Sequence, residues 1–256
     1  MLLWCNIHDR RNLSIHIGGC EITVIYVMSD IHGYYDKYIR MLERINFSEN
    51  DTLYVVGDVI DRGDDGIKIL LDMMNRENVI PILGNHEYMA YSVLKKLNVE
   101  ITEFNYDKHL DSEALEMYED WMFNGGITTS QQFSRLSKND KDEILDYLGE
   151  FDIYEEIEVN GRSFLLVHGG VGEFETEKDI EDCNLHEIIW SRCDYDKQYY
   201  KDKYMITGHT PTFTISKEYD GKIYNNNNHI AIDCGVSHGR PLGCVCLDTL
   251  EEFYVE

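Results

Sequence analysis

The chain has 256 residues, 43% of them apolar, enough to bury a full core as one enzyme-sized domain, and no run approaches the roughly 18 uninterrupted apolar residues of a membrane span. Its formal net charge of -25, from 23 Lys and Arg against 48 Asp and Glu, disfavours nucleic acid and anionic membranes and repels phosphate unless cations and arginines reverse the field locally. Seven scattered cysteines (Cys5, Cys20, Cys183, Cys193, Cys234, Cys244, Cys246), without C-x-x-C spacing, argue against a disulfide framework or thiolate zinc site and for a reducing cytoplasm.

Met1 to Trp4 is apolar but is soon broken by Asn6, His8, Asp9, Arg10 and Arg11, so no secretory segment is expected. Residues 1–20 read as an N-terminal extension without assigned function, ahead of a single domain over 21–256. Strand-like Ile22 to Val27 leads into helical spacing at Tyr38, Ile39, Leu42 and Ile45; Thr52 to Val56 leads into a helix through Ile67 to Met74; Val79 to Leu83 closes a β-α-β-α-β half. From about residue 88 to 150 the periodicity is helical, around Ala114, Leu115, Tyr118 and Trp121 and again around Ile144, Leu145 and Leu148, with capping residues in Ser137 to Asp140. This reads as a helical insertion that shapes the substrate groove; Trp121 and Asn124-Gly125-Gly126 are candidates to line that groove, and for Trp121 a place in the core is the preferred reading. Strands follow at Ile153 to Val159, Ser163 to Val167, Tyr204 to Thr207, His229 to Asp233, Gly243 to Leu247 and Phe253 to Val255. Asp220-Gly221 signals a hairpin, Asn225 to Asn228 a loop, and the alternation around Cys244 and Cys246 puts both on one face of a core strand. The whole reads as an α/β domain.

Five short motifs carry chemistry. Ser29-Asp30-Ile31-His32-Gly33 follows the first strand, Gly57-Asp58-Val59-Ile60-Asp61-Arg62-Gly63 the second and Gly84-Asn85-His86-Glu87 the third, while His168-Gly169-Gly170 and Gly208-His209-Thr210 end two later strands. Singly, most admit plainer readings: Asp30 or Asn85 as a helix cap, a lone histidine as a packed ring. The second loop is the exception, because a surface Asp-Arg pair, contributing under about 1 kcal/mol, gives no reason for its flanking glycines. Taken together, all five sit at the carboxyl end of an apolar run, where open α/β sheets form ligand sites. Asp30, His32, Asp58, Asn85, His168 and His209 offer N and O donors for two divalent ions that share a carboxylate.

In their order these motifs resemble the phosphoprotein phosphatase (PPP) family of metal-dependent serine/threonine phosphatases, whose motifs run GDxHG, GDxVDRG, GNHE, HGG and GHT; the resemblance spans roughly Ile22 to Gly235. It departs at Ser29, where many members have glycine, and at Ile60, where valine is usual. The resemblance implies the calcineurin-like metallophosphoesterase β-sandwich, two mixed sheets flanked by helices. It further implies that Asp30 and His32 hold one metal and Asn85, His168 and His209 the other, with Asp58 between them. His86 becomes the general acid, oriented by Asp61, and Arg62 the phosphate clamp. Trp190-Ser191-Arg192 is similar to the W-S-R segment of the compact phage and bacterial branch, which makes Arg192 a second clamp.

The chemistry expected is one-step hydrolysis: two cations, manganese first with iron or zinc also possible, lower the pKa of a bridging water toward about 7 to give the nucleophile. The substrate is expected to be a phosphorylated protein or a small phosphate ester, with the oligomeric state open. A dinucleoside polyphosphatase of the symmetrical tetraphosphatase type is the alternative; such enzymes resemble this chain in their metal motifs but commonly lack the aspartate equivalent to Asp61. An inactive scaffold that binds phosphoproteins is the second alternative.

Overall fold

The computed structural model describes residues 23–99 and 112–256, so the expected N-terminal extension, Cys5 and Cys20 lie outside the described residues. Short β-branched runs form parallel strands β1 (Ile25–Met28), β2 (Thr52–Val56) and β3 (Val79–Ile82), joined by helices α1 (Tyr35–Arg44) and α2 (Gly66–Met74) because parallel neighbours need crossovers. The insertion supplies α3 (Asn85–Leu97), α4 (Ser112–Trp121), a π-type turn (Met122–Gly126), α5 (Ile127–Ser134) and α6 (Lys138–Gly149). Its first helix begins at Asn85, so two candidate site residues occupy a helical first turn rather than a loop. Ser137 caps α6 as its sequence suggests, accepting from the Asp140 amide.

The second half contributes β4 (Tyr154–Val159), β5 (Arg162–Val167), α7 (Leu185–Trp190), β6 (Lys203–Thr207), α8 (Thr212–Ile215), β7 (Tyr224–Asn226), β8 (His229–Ala231), β9 (Leu242–Cys246) and β10 (Glu252–Val255). Two mixed five-stranded sheets result, ordered β10-β9-β1-β2-β3 and β4-β5-β6-β8-β7. The last two strands thus return to the first sheet, where β9 pairs antiparallel with β1.

Strand alternation decides which side chain faces which layer. Val27, Val56, Ile82 and Val245 of one sheet pack with Phe164, Leu166, Ile206 and Ile230 of the other, closing the sandwich. Their neighbours Met28, Leu53, Val55 and Cys244 face outward into a second cluster with Tyr38, Met41, Leu70 and Met73 of the flanking helices. Each such side chain, once buried, stabilises by about 1.5–3 kcal/mol. Cys244 and Cys246 lie in this second cluster, on one strand face as expected.

Two local expectations are corrected: Asn225 and Asn226 lie in β7 rather than in a loop, and Asp220-Gly221 is not the hairpin turn. The hairpin joins β7 to β8 through Asn227-Asn228, both left-handed (φ 54° and 55°), while Asp220-Gly221 precedes β7 without connecting paired strands. Two successive positive φ values define the turn that matches strand twist, and asparagine tolerates them almost as well as glycine. Among the described residues no helix is long and apolar enough to cross a membrane.

Candidate active site

All five motifs meet at one edge of the sandwich. Beyond the strands, the first two loops continue side by side: the amides of Asp30, His32 and Gly33 donate to the carbonyls of Gly57, Asp58 and Val59 at 2.8–3.0 Å. Glu87, in the first turn of α3, accepts from the amides of Asp58, Val59, Ile60 and Gly84 at 2.8–3.2 Å, tying the third motif to the second. Burial, and then Asp58, push the Glu87 carboxyl up to about 7 despite those four donors. From the second sheet, the His209 amide donates to both oxygens of Asp30 at 3.0 and 3.2 Å. Backbone approach this close requires glycine at two positions: a Cβ on Gly208 would meet the Asp30 carboxylate, and one on Gly84 that of Asp58.

Strain concentrates here as well. Asp30, His32, Asp58, Asp61, Arg62 and His209 all have left-handed backbones, with φ between 48° and 70°. Such a conformation costs a non-glycine residue on the order of 1 kcal/mol or more and persists only where the surroundings enforce it, as at functional sites.

The imidazoles are oriented by their far nitrogens. His32 Nδ1 donates to the Ile60 carbonyl at 3.1 Å and His168 Nδ1 to the Val56 carbonyl at 2.9 Å, so each ring turns Nε2 inward. His32 Nε2 lies 3.7 Å from Asp58 Oδ2 and 4.0 Å from Asp30 Oδ1. His168 Nε2 lies 3.3 Å from Asp58 Oδ1 and 3.0 Å from Asn85 Oδ1, and that same oxygen is 2.9 Å from His209 Nδ1. Donors bound at about 2.1 Å to one ion stand roughly 3–4 Å apart, so both sets fit a divalent cation. Asp58 belongs to both donor groups, one with His32 and His86 and one with His168 and His209. The composition, imidazole nitrogen with carboxylate and amide oxygen, suits borderline-hard divalent ions.

The electrostatics reflect crowding of like groups. Burial, then Asp233 and Asp58, raise Asp30 well above the usual carboxylate range, whereas His168, His86 and His32 overcome burial and hold Asp58 well below it. Burial would lower His168, but Asp58 raises it to about 10; burial, with His168 next, takes His209 down to about 3. Opposite shifts within a few ångströms mark a site that cations would neutralise.

Beside the donors, His86 Nδ1 donates to Asp61 Oδ2 at 2.7 Å in a fully buried pair. His86 Nε2 stands 3.1 Å from the Arg62 guanidinium, which also reaches His32 Nε2 at 2.8 Å and Ser237 Oγ at 3.0 Å. Burial opposes protonation of His86, but Asp58 and Asp61 prevail and raise its pKa. Arg192 follows α7 on the exposed rim, and its charge is among those that depress His209. Asp30, His32, Asp58, Asp61, Arg62, Asn85, His86, His168 and His209 thus lie together at this edge, whereas no hydrogen bond or ion pair among the described residues ties the exposed Arg192 to them.

Other contributors escaped the sequence reading. Glu87 lay inside a quoted motif but its backbone-gathering role has no sequence signal, and Ser237 belongs to a turn with no motif of its own. Trp121 is fully buried, as expected, yet its indole N–H reaches Asp61 Oδ2 at 2.9 Å; the need of a buried indole for an acceptor was the available clue. Ser29, where many PPP members have glycine, donates to Asp30 Oδ2 at 2.6 Å.

A fold of two mixed sheets carrying two donor sets that share one carboxylate defines a metallophosphoesterase. The chain belongs to the calcineurin-like phosphoesterase family, whose model matches residues 23–237. It is 26% identical over 174 residues to serine/threonine-protein phosphatase 2 of Salmonella typhimurium, covering 66% of this chain and 67% of that protein. It is 40% identical over 80 residues to a symmetrical bis(5'-nucleosyl)-tetraphosphatase of Wigglesworthia glossinidia brevipalpis, where the match spans only 29% of either chain. Among solved structures, one described as a candidate diadenosine tetraphosphatase superposes with a TM-score of 0.64 at 13% identity, covering 91% of this chain and 93% of that one. A Saccharomyces cerevisiae protein serine/threonine phosphatase gives 0.50 at 12% identity over 88% and 72%. These two likenesses are of fold. The PPP resemblance drawn from the motifs accords with membership of this family.

Proposed function

We propose that the protein is a phosphomonoesterase acting on phosphoserine and phosphothreonine in proteins. The observation that carries this reading is the buried Asp61–His86 pair, 2.7 Å apart, set beside the Arg62 guanidinium. In this reading Asp30, His32 and Asp58 hold one divalent cation, and Asp58, Asn85, His168 and His209 the other. When bound, the cations supply a water-derived nucleophile at neutral pH and positive charge facing the phosphoryl oxygens. Manganese is the first choice, and iron or zinc suits the same donors.

Arg62 and Arg192 grip the phosphoryl oxygens from two sides and balance the charge that builds on them in the transition state. Asn85, in the first turn of α3, adds a polar contact at the same place. His86, whose ring Asp61 holds through Nδ1 and whose pKa Asp58 and Asp61 raise against burial, gives an Nε2 proton to the leaving oxygen once the Arg62 guanidinium, 3.1 Å away, has turned to the phosphoryl group. Asp61 fixes the ring and stabilises its charge until the proton is delivered.

Hydrolysis of dinucleoside tetraphosphates is the second reading, favoured by the 40% identity of an 80-residue segment to a symmetrical tetraphosphatase. Its leaving group is a nucleotide phosphate, which departs without protonation, so it makes no use of the Asp61–His86 pair. Manganese-loaded protein assayed on phosphoserine and phosphothreonine peptides and on diadenosine tetraphosphate separates the two. The peptides are expected to have kcat/KM at least about tenfold higher, a difference of roughly 1.4 kcal/mol in barrier. Faster cleavage of the dinucleotide would overturn the protein phosphatase reading.

A further inference from the structure

We propose that Trp121 is a positioning residue, holding Asp61 so that His86 faces the departing oxygen. The inference rests on the reading of His86 as the leaving-group acid. The insertion grips the Asp61-Arg62 pair three times: Trp121 Nε1 donates to Asp61 Oδ2 at 2.9 Å, the Asp61 amide to Thr129 Oγ1 at 3.0 Å, and the Arg62 amide to the Gly125 carbonyl at 3.0 Å. Both gripped residues are left-handed, with φ of 70° and 67°, so the conformation that aims them depends on these outside contacts.

The carboxylate is fixed through one atom. Asp61 Oδ2 takes both the Trp121 and the His86 donors, while Oδ1 is buried with no partner among the described residues. Without the indole, only the imidazole would restrain the two-fold rotation of this carboxylate. The indole is itself wedged against the backbone: a Cβ on Gly126 would stand 2.5 Å from Trp121 Nε1 and 2.6 Å from Cε2. Gly126 thus offers a second handle on the same contact, independent of the tryptophan.

The test compares two esters. Phenyl phosphate needs its leaving oxygen protonated, whereas p-nitrophenyl phosphate releases a stable phenolate. With manganese-loaded full-length protein, Trp121→Phe and Gly126→Ala are each expected to lower kcat on phenyl phosphate about tenfold, to change it less than about twofold on p-nitrophenyl phosphate, and to leave KM within about twofold. In an Asp61→Asn background, Trp121→Phe should remove less than a further twofold or so, because both changes act through one carboxylate. Equal losses on both esters, or additive losses over Asp61→Asn, would overturn the positioning role. If Asp61→Asn itself slows both esters equally, the acid assignment falls and the proposal with it; if Asp61→Asn discriminates between them and neither Trp121→Phe nor Gly126→Ala does, the proposal falls alone.

Discussion

His229, at the start of β8, is a buried imidazole outside the catalytic cluster, and replacing it should change how stability depends on pH. Its ring stacks on Tyr195 (centroids 4.9 Å apart, planes at 14°) and meets Tyr199 and Tyr224 edge-on at 6.2 and 6.1 Å; Nε2 lies 2.9 Å from Thr207 Oγ1, and Nδ1 has no partner among the described residues. Burial alone takes its pKa from 6.5 down to about 3. The tyrosines facing it are all raised, so none of them ionises in acid. Between about pH 6.5 and 3 the unfolded chain carries one more proton at this position than the folded one. Stability therefore falls with pH by about 1.4 kcal/mol per unit through that window, a loss of about 2 kcal/mol at pH 5. His229→Phe keeps the stacking and cannot take the proton, but strands the Thr207 hydroxyl at a cost of about 1 kcal/mol. The variant should be about 1 kcal/mol less stable than the parent at pH 7.5 and about 1 kcal/mol more stable at pH 5. Urea unfolding of chelator-treated parent and variant from pH 4.5 to 8 measures the difference. Parallel stability curves with a constant offset would refute the argument.

Glu87→Gln would turn an amide NH2 toward two backbone N–H donors; losing two charge-assisted hydrogen bonds costs about 3 kcal/mol or more, so thermal melting should fall by roughly 6–12 °C and turnover should collapse. Gly208→Ala pushes on the buried Asp30 carboxylate and the Ser29 side chain; such overpacking costs about 1–3 kcal/mol, so metal-free protein should melt a few degrees lower and a manganese titration should show at least about tenfold weaker binding, and unchanged affinity would count against the donor role of Asp30. Chelation should abolish turnover, and manganese should restore it with about two ions per chain by elemental analysis. Asp58→Asn should weaken both ions, because Asp58 belongs to both donor groups, and Asp30→Asn only the one that the proposed ligand set gives it with His32.

Much of this was legible in the sequence because strand ends were. Each apolar run stopped at a glycine-flanked motif, and the strands begin and end within a few residues of those runs, so the convergence of Asp30, Asp58, Asn85, His168 and His209 followed from topology alone. The hairpin was misread because Asp-Gly is the stronger turn signal by composition, whereas Asn227-Asn228 won through register: only that turn lets Tyr224 pair with Ala231. Trp121 was read correctly as buried and incompletely as core, since hydrophobic periodicity counts the ring and ignores its single N–H. Glu87 and Ser237 act through backbone amides and a guanidinium brought from elsewhere in the chain, contacts that no local pattern encodes.

The bond from the His209 amide to Asp30 spans 179 positions and joins the loops of opposite sheets. During synthesis, the first three motifs emerge with their strands long before His209 leaves the ribosome. A nascent or truncated chain ending before residue 209 thus lacks the His209 amide and imidazole that close the cluster over Asp30 and Asn85. With the proposed ligands, full affinity for two cations would arrive only when the two layers dock, and occupancy would then report that the second layer has been made and has closed over the first.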